Sequence, residues 1–247
     1  MLSLLERDGY AVVPGALRGA GLRRVLAAVD RVWTEEAPAQ TPLHLLAFAG
    51  RDPAFLELID HPATFPLVHA ALGWNIHMYH CHLDVHPPTA EAPRWRWHQD
   101  GGRQNVDLES PRPRLSVKVA FFLTDVPTAD HGALRVVPGS HRADTLPTDR
   151  EPPDATPLLV EAGTAVLFDR RLWHARGDNR AAATRKALFY GYTYRWIRPR
   201  DALAIAPDVL AQLSPVRRQL LGASTGVSGY WLPEPADVPL RSSRSTA

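Results

Sequence analysis

Two residues in the stretch "WRWHQDGGRQN" (95–105), His98 and Asp100, could do redox chemistry. At positions i and i+2 of an extended chain their side chains point to the same side. A first-row divalent metal that activates oxygen takes two imidazoles and one carboxylate on one face, with open positions opposite. His98 and Asp100 supply two of these three groups, and the other imidazole must come from a distant strand. Of the eleven histidines, His174 in "LFDRRLWHARGDN" is the best placed, because it ends an apolar run and lies far enough along the chain for intervening strands to return it to His98. Each feature alone also has a bland reading. A His-x-Asp arises often by chance, and a lone strand-end histidine is more often a buried, hydrogen-bonded residue than a ligand. His80, His82 and His86 look like a rival cluster, but three imidazoles along one strand span roughly 20 Å at ~3.3 Å per residue. His141, in "PGSH", reads as a turn residue.

The elements that must position these groups follow from periodicity. "YAVVPGAL" (10–17) is a short β-rich run stopped by Pro14 and Gly15. Leu22, Val25, Leu26, Val29 and Trp33 recur at helical spacing and predict an amphipathic helix over 20–35. "DPAFLELIDHPATFPLVHAALG" reads as two short helices, with Asp52 capping the first ahead of Pro53 and Gly73 ending the second. "NIHMYHCHLDVHPP" (75–88) is extended, with Ile76, Met78, His80, His82, Asp84 and His86 expected on one face. Further strands are expected within 114–126, 133–141, 156–169 and 185–196, each bounded by Pro, Gly or Asp turns. Residues 200–222 read as helical. Many short strands behind an N-terminal helical layer predict a β-sandwich or jelly roll with helices outside.

Composition sets bounds. The 247 residues fit one large domain, and the 45% of hydrophobic residues supply a core. The expected division is an N-terminal helical layer (1–74), a core (75–200), a C-terminal helical extension (201–240) and a disordered polar tail (241–247). A net charge of +2, without a basic tract, argues against nucleic acid as a partner. Cys81 is the only cysteine, so no intramolecular disulfide forms and a reducing cytoplasm suits the chain. The N-terminus meets charge at Glu6, too soon for a signal peptide, and no apolar run is long enough to span a bilayer, so no membrane partner is expected.

Several segments, in order, resemble the phytanoyl-CoA dioxygenase-like oxygenases. "LLERDGYAVVPGAL" resembles their N-terminal entry, "WHQDGG" their His-x-Asp segment and "GALRVVPGSHR" their Gly-x-Leu-x-Val-x-Pro-Gly-Ser-His signature. "WHARGDNRAAATRKAL" resembles their distal segment, with an arginine eleven residues past the histidine, here Arg185. The resemblance spans roughly residues 5–195. It implies a double-stranded β-helix, a cupin-like jelly roll with flanking helices, using Fe(II), 2-oxoglutarate and O2. His98, Asp100 and His174 are then the iron ligands, and Arg185 the anchor of the far carboxylate of 2-oxoglutarate, a task suited to its planar two-pronged fork. Arg180 competes for that task but has no family counterpart. Gln99 matches a position that touches the cosubstrate, and His82 one that lines its pocket.

The chain departs from the family two residues after the distal histidine, where Arg176 replaces a small hydroxyl residue that helps bind 2-oxoglutarate. The implied reaction is hydroxylation of an unactivated C–H bond of a small molecule, or its desaturation or cyclisation, with succinate and CO2 as coproducts. Retention of Asp100 argues against halogenation, because related halogenases lack that carboxylate. Substrate selection is expected from the loop 101–114, through Arg103, Asn105 and Arg112, with Lys118 on the next strand facing the same pocket. Richness in Ala, Arg and Pro fits a high-GC genome, in which such enzymes tailor secondary metabolites. Two readings from other classes stay open: a cupin-like binding protein without turnover, and a metal-dependent hydrolase on the same three ligands.

Overall fold

The computed structural model describes residues 1–90, 96–101, 108–146 and 150–242. Two antiparallel sheets face each other. The larger has the order β1 (Tyr10–Val13), β7 (Ala165–Asp169), β4 (Ser116–Phe122), β9 (Arg185–Tyr194), β3 (Ile76–His86), β2 (Leu43–Leu46). The smaller has the order β6 (Thr156–Leu158), β5 (Leu134–Val136), β8 (His174–Arg176). This is an open jelly roll, not a closed barrel, and six helices lie around it among the described residues: α1 (Leu2–Asp8), α2 (Gly19–Glu36), α3 (Pro53–Leu56), α4 (Phe65–Leu72), α5 (Pro207–Gln212) and α6 (Pro215–Leu220). None is long and apolar enough to cross a membrane.

The alternation of the strands divides the core in two. On β4, Val117, Val119 and Phe121 face outward with Leu188, Tyr190 and Tyr192 of β9, and the helices cover them. Helix α2 buries Val25, Ala28, Val29, Val32 and Trp33, the i, i+3/i+4, i+7 stripe of an amphipathic helix. The other face turns Ala120, Phe122, Val166, Phe168, Ala187 and Phe189 toward Leu134, Val136 and Leu158 of the smaller sheet. Lys118, opposite Gly191, and Arg185, opposite His86, both lie on this inner face, so the two long cations point into the space between the sheets.

Several sequence expectations change. Residues 1–74 are not purely helical: β1 and β2 form the two edges of the larger sheet. The region 200–222 holds two six-residue helices, separated where Ser214 caps α6 ahead of Pro215. The expected common face of β3 is broken by a bulge between Met78 and His80. One extra residue, Tyr79, reverses the side to which later residues point. Ile76 and Met78 therefore pack in the outer core, while His80, His82, Asp84 and His86 face inward. Asp52 accepts a hydrogen bond from the Ala54 amide at 2.8 Å and caps α3 as expected.

Candidate metal centre

His98 and His174 face each other as an isolated antiparallel bridge. Each backbone N–H donates to the other's carbonyl at 3.0 Å, which fixes the two residues side by side. Their rings lie 4.2 Å apart, centroid to centroid. Both imidazoles are oriented alike: Nδ1 of His98 is 2.8 Å from the Arg96 carbonyl, and Nδ1 of His174 is 2.8 Å from that of Leu172. A carbonyl only accepts, so Nδ1 carries the proton in each ring and Nε2 presents its lone pair. Asp100 is held by its amide, which donates to Arg170 O at 2.8 Å, and by the Arg170 guanidinium on its own carbonyl. One ligand atom from each of His98, Asp100 and His174 lies within 4.8 Å of the others.

Burial and neighbouring charge hold Asp100 and His174 in the forms that bind a metal. Burial first, then the neighbouring His98, lowers the His174 pKa to about 3, so its imidazole is neutral at physiological pH. Burial pushes the Asp100 carboxyl up, but Lys118 and the two imidazoles outweigh it and hold the group ionised. Lys118 Nζ donates to Asp100 Oδ1 at 2.7 Å. His98 is exposed while Asp100 and His174 are buried, so the group opens on the His98 side. Two imidazole nitrogens and one carboxylate, each steadied by backbone contacts, are a donor set that fits Fe(II).

A second group lies farther along the same floor. Strand register sets Lys118, Gly191 and His80 in one row, then Ala120, Phe189 and His82, then Phe122, Ala187, Asp84 and His44, and last Arg185 and His86. The three steps between these four rows span about 20 Å of backbone at two residues per step, and the long Lys118 and Arg185 side chains reach inward from either end. His82 lies between, stacked on Phe189 at 4.3 Å, with Nδ1 2.9 Å from His80 Nε2. His80 in turn contacts Asp201 Oδ2 at 2.7 Å. Arg185 is buried, and its Nη1 donates to Gly132 O at 2.8 Å while Nη2 lies 3.4 Å from Asp84 Oδ2. Burial lowers the Arg185 pKa to about 10, with Asp84 working against that shift. His44, His82 and Asp84 also bring potential ligand atoms within 4.8 Å of one another, but there His44 Nδ1 and Asp84 Oδ1 already bond each other at 2.6 Å and His82 Nδ1 is engaged with His80.

The other expected residues fall as follows. Gln99 points away from the three ligands: its amide donates to Ala143 O at 3.0 Å and Arg171 O at 2.6 Å, and its oxygen accepts from Arg112 at 2.9 Å. The reason is strand alternation, which turns the residue between His98 and Asp100 to the opposite side. Arg112, expected to meet substrate, is engaged in this brace and with Asp144 O at 2.5 Å. Lys118 meets Asp100 instead of open pocket. Arg103 and Asn105 lie outside the described residues. Arg180 is exposed, and His141 is a tie to the N-terminal helix through Glu6 O at 3.1 Å. Sequence reasoning missed His44, whose Nδ1 is 2.6 Å from Asp84 Oδ1 across the β2–β3 pair, because no local pattern links the two residues. It also missed Asp169, fully buried between Arg114 and Arg171.

The sequence pattern of one family, phytanoyl-CoA dioxygenase (PhyH), matches residues 5–187. The uncharacterized protein Rv1501 of Mycobacterium tuberculosis is 29% identical over 91% of this chain and 88% of its own length. The dioxygenase andF of Emericella variicolor is 27% identical over 91% of this chain and 84% of its own length. Among solved structures, the non-heme alpha ketoglutarate dependent carbocyclase SnoK from nogalamycin biosynthesis shares the fold, with a TM-score of 0.64 and 22% identity over 86% of this chain and 89% of that one.

Proposed function

This chain belongs to the phytanoyl-CoA dioxygenase family, and from that premise we propose that it hydroxylates an unactivated C–H bond of a small molecule, with succinate and CO2 as coproducts. Membership makes it a dioxygenase that uses Fe(II), 2-oxoglutarate and O2. In our reading His98, Asp100 and His174 hold the iron. The observation that carries this is the convergence of one ligand atom from each of two imidazoles and one carboxylate within 4.8 Å, from segments far apart in the chain. Bound there, the iron supplies the oxygen-activating chemistry, with electrons drawn from oxidative decarboxylation of 2-oxoglutarate.

The chain's own residues supply position and charge. The His98–His174 bridge keeps the two imidazoles side by side, so that both would reach one metal. Lys118 holds Asp100 Oδ1 and so orients the carboxylate. Arg185 receives the far carboxylate of 2-oxoglutarate, while His82 and Phe189 wall the floor between it and the metal. Substrate selection is assigned to Arg103 and Asn105, which follow Asp100 in the sequence. A secondary metabolite is the substrate class this reading favours, the fold being shared with a carbocyclase of nogalamycin biosynthesis.

The test is a screen of candidate metabolites for substrate-stimulated succinate release by protein loaded with Fe(II), in the presence of 2-oxoglutarate and O2. Succinate formed in step with an oxygenated product supports the proposal. A substrate hydrolysed without 2-oxoglutarate would point to hydrolase chemistry on the same ligands, and tight binding of a metabolite without any turnover to a binding protein.

A further inference from the structure

The Arg185 guanidinium is used below its capacity. A good arginine–carboxylate pair is two-pronged, with N···O near 2.7–2.9 Å. Here Asp84 touches one prong only, at 3.4 Å, and the buried Nε has no hydrogen-bond partner among the described residues. Asp84 is restrained from coming closer, because its other oxygen is held at 2.6 Å by His44, its register partner on the edge strand β2. A second guanidinium lies nearby: Arg176, the departure from the family pattern, contacts His86 Nε2 and feels the Asp84 charge. Arg176 is exposed and also faces Asp178, so Arg185 is the buried cation that Asp84 has to compensate.

We propose that Asp84 is a resident counter-anion of the cosubstrate subsite: it compensates Arg185 while the subsite is empty and gives up its prong when the far carboxylate of 2-oxoglutarate arrives. The inference rests on the reading of Arg185 as that anchor. Without Asp84 the empty protein would hold a buried, poorly compensated guanidinium, a costly state. With it, the incoming carboxylate has to displace a rival, so cosubstrate binding is weaker than Arg185 alone would allow. His44 sets the balance by keeping the rival at a distance.

The experiment is calorimetric titration of 2-oxoglutarate into anaerobic, Fe(II)-loaded protein. Asp84→Asn removes the rival charge at nearly constant shape and should tighten binding, with Kd falling roughly 3- to 10-fold. His44→Ala frees Asp84 to close on Arg185 and should weaken binding by a similar factor. Unchanged or weaker binding in Asp84→Asn would overturn the proposal and make Asp84 a positioning residue. Should Asp84→Asn fail to fold, His44→Ala decides alone, since His44 is exposed on an edge strand; unchanged or tighter binding in it overturns the proposal. Arg185→Ala separates the two levels. Wild-type affinity in that variant means the anchor itself is misassigned, whereas lost affinity there together with weaker binding in Asp84→Asn means only the role of Asp84 is wrong.

Discussion

Replacing Arg185 by alanine is the sharpest perturbation of the proposed chemistry. The side chain is 2% exposed and touches none of His98, Asp100 and His174, so the metal should still bind. Removing one partner of a buried, hydrogen-bonded charge pair costs about 2–5 kcal/mol. Because Asp84 already compensates part of the Arg185 charge, the lower part of that range applies, about 2–3.5 kcal/mol, or roughly 30- to 300-fold. The apparent KM for 2-oxoglutarate, measured by succinate release at saturating substrate, should rise by that factor while iron content stays at the wild-type level. Arg185→Lys should recover only part of the loss, since an ammonium cannot present the planar fork. Arg180→Ala is the internal control, because Arg180 is exposed and lies outside the inner face of the floor. The reasoning is refuted if Arg180→Ala raises the KM and Arg185→Ala does not, or if Arg185→Ala strips the iron as fully as a ligand mutant.

Three further outcomes are expected. His98→Ala, Asp100→Ala and His174→Ala should each abolish turnover and lower the iron retained after desalting, measured by atomic absorption; full oxygenase activity in Asp100→Ala with iron bound would remove the carboxylate from the ligand set. Asp169→Asn should destabilise the fold by about 3 kcal/mol, the cost of breaking a buried ion pair, because Asp169 is fully buried with Arg114 at 2.6 Å and Arg171 at 2.7 Å; at roughly 2–4 °C per kcal/mol for a chain of this size the Tm should fall about 6–12 °C, and an unchanged Tm would refute that role. The same carboxylate gives a pH dependence. Burial pushes its pKa up, but Arg171 and Arg114 outweigh that and leave it below the usual value. Its contribution is therefore complete above the unfolded pKa of about 3.9 and is lost as pH falls through the lower folded value, so wild-type Tm should drop in acid more steeply than that of Asp169→Asn.

Much of this was legible in the sequence, and the reason is local. The α2 stripe from Val25 to Trp33 has the period of a helix, Asp52 before Pro53 has the chemistry of a cap, and residues 116–122 and 185–194 have the composition of buried strands. His98 and Asp100 share a side because two residues of extended chain return to the same side. That same alternation turns Gln99 away. What tertiary structure alone decided depends on which strands become neighbours. The bulge at Tyr79, which separates Ile76 and Met78 from His80, His82 and Asp84, leaves no mark on the spacing of residue types. His44 meets Asp84 only because β2 pairs with β3 at the sheet edge, and Lys118 meets Asp100 only because β4 lies beneath the His98 segment. Arg185 looks inward, half satisfied, because β9 is a central strand with partners on both sides, and a sequence read one residue at a time carries no record of the neighbour across the sheet.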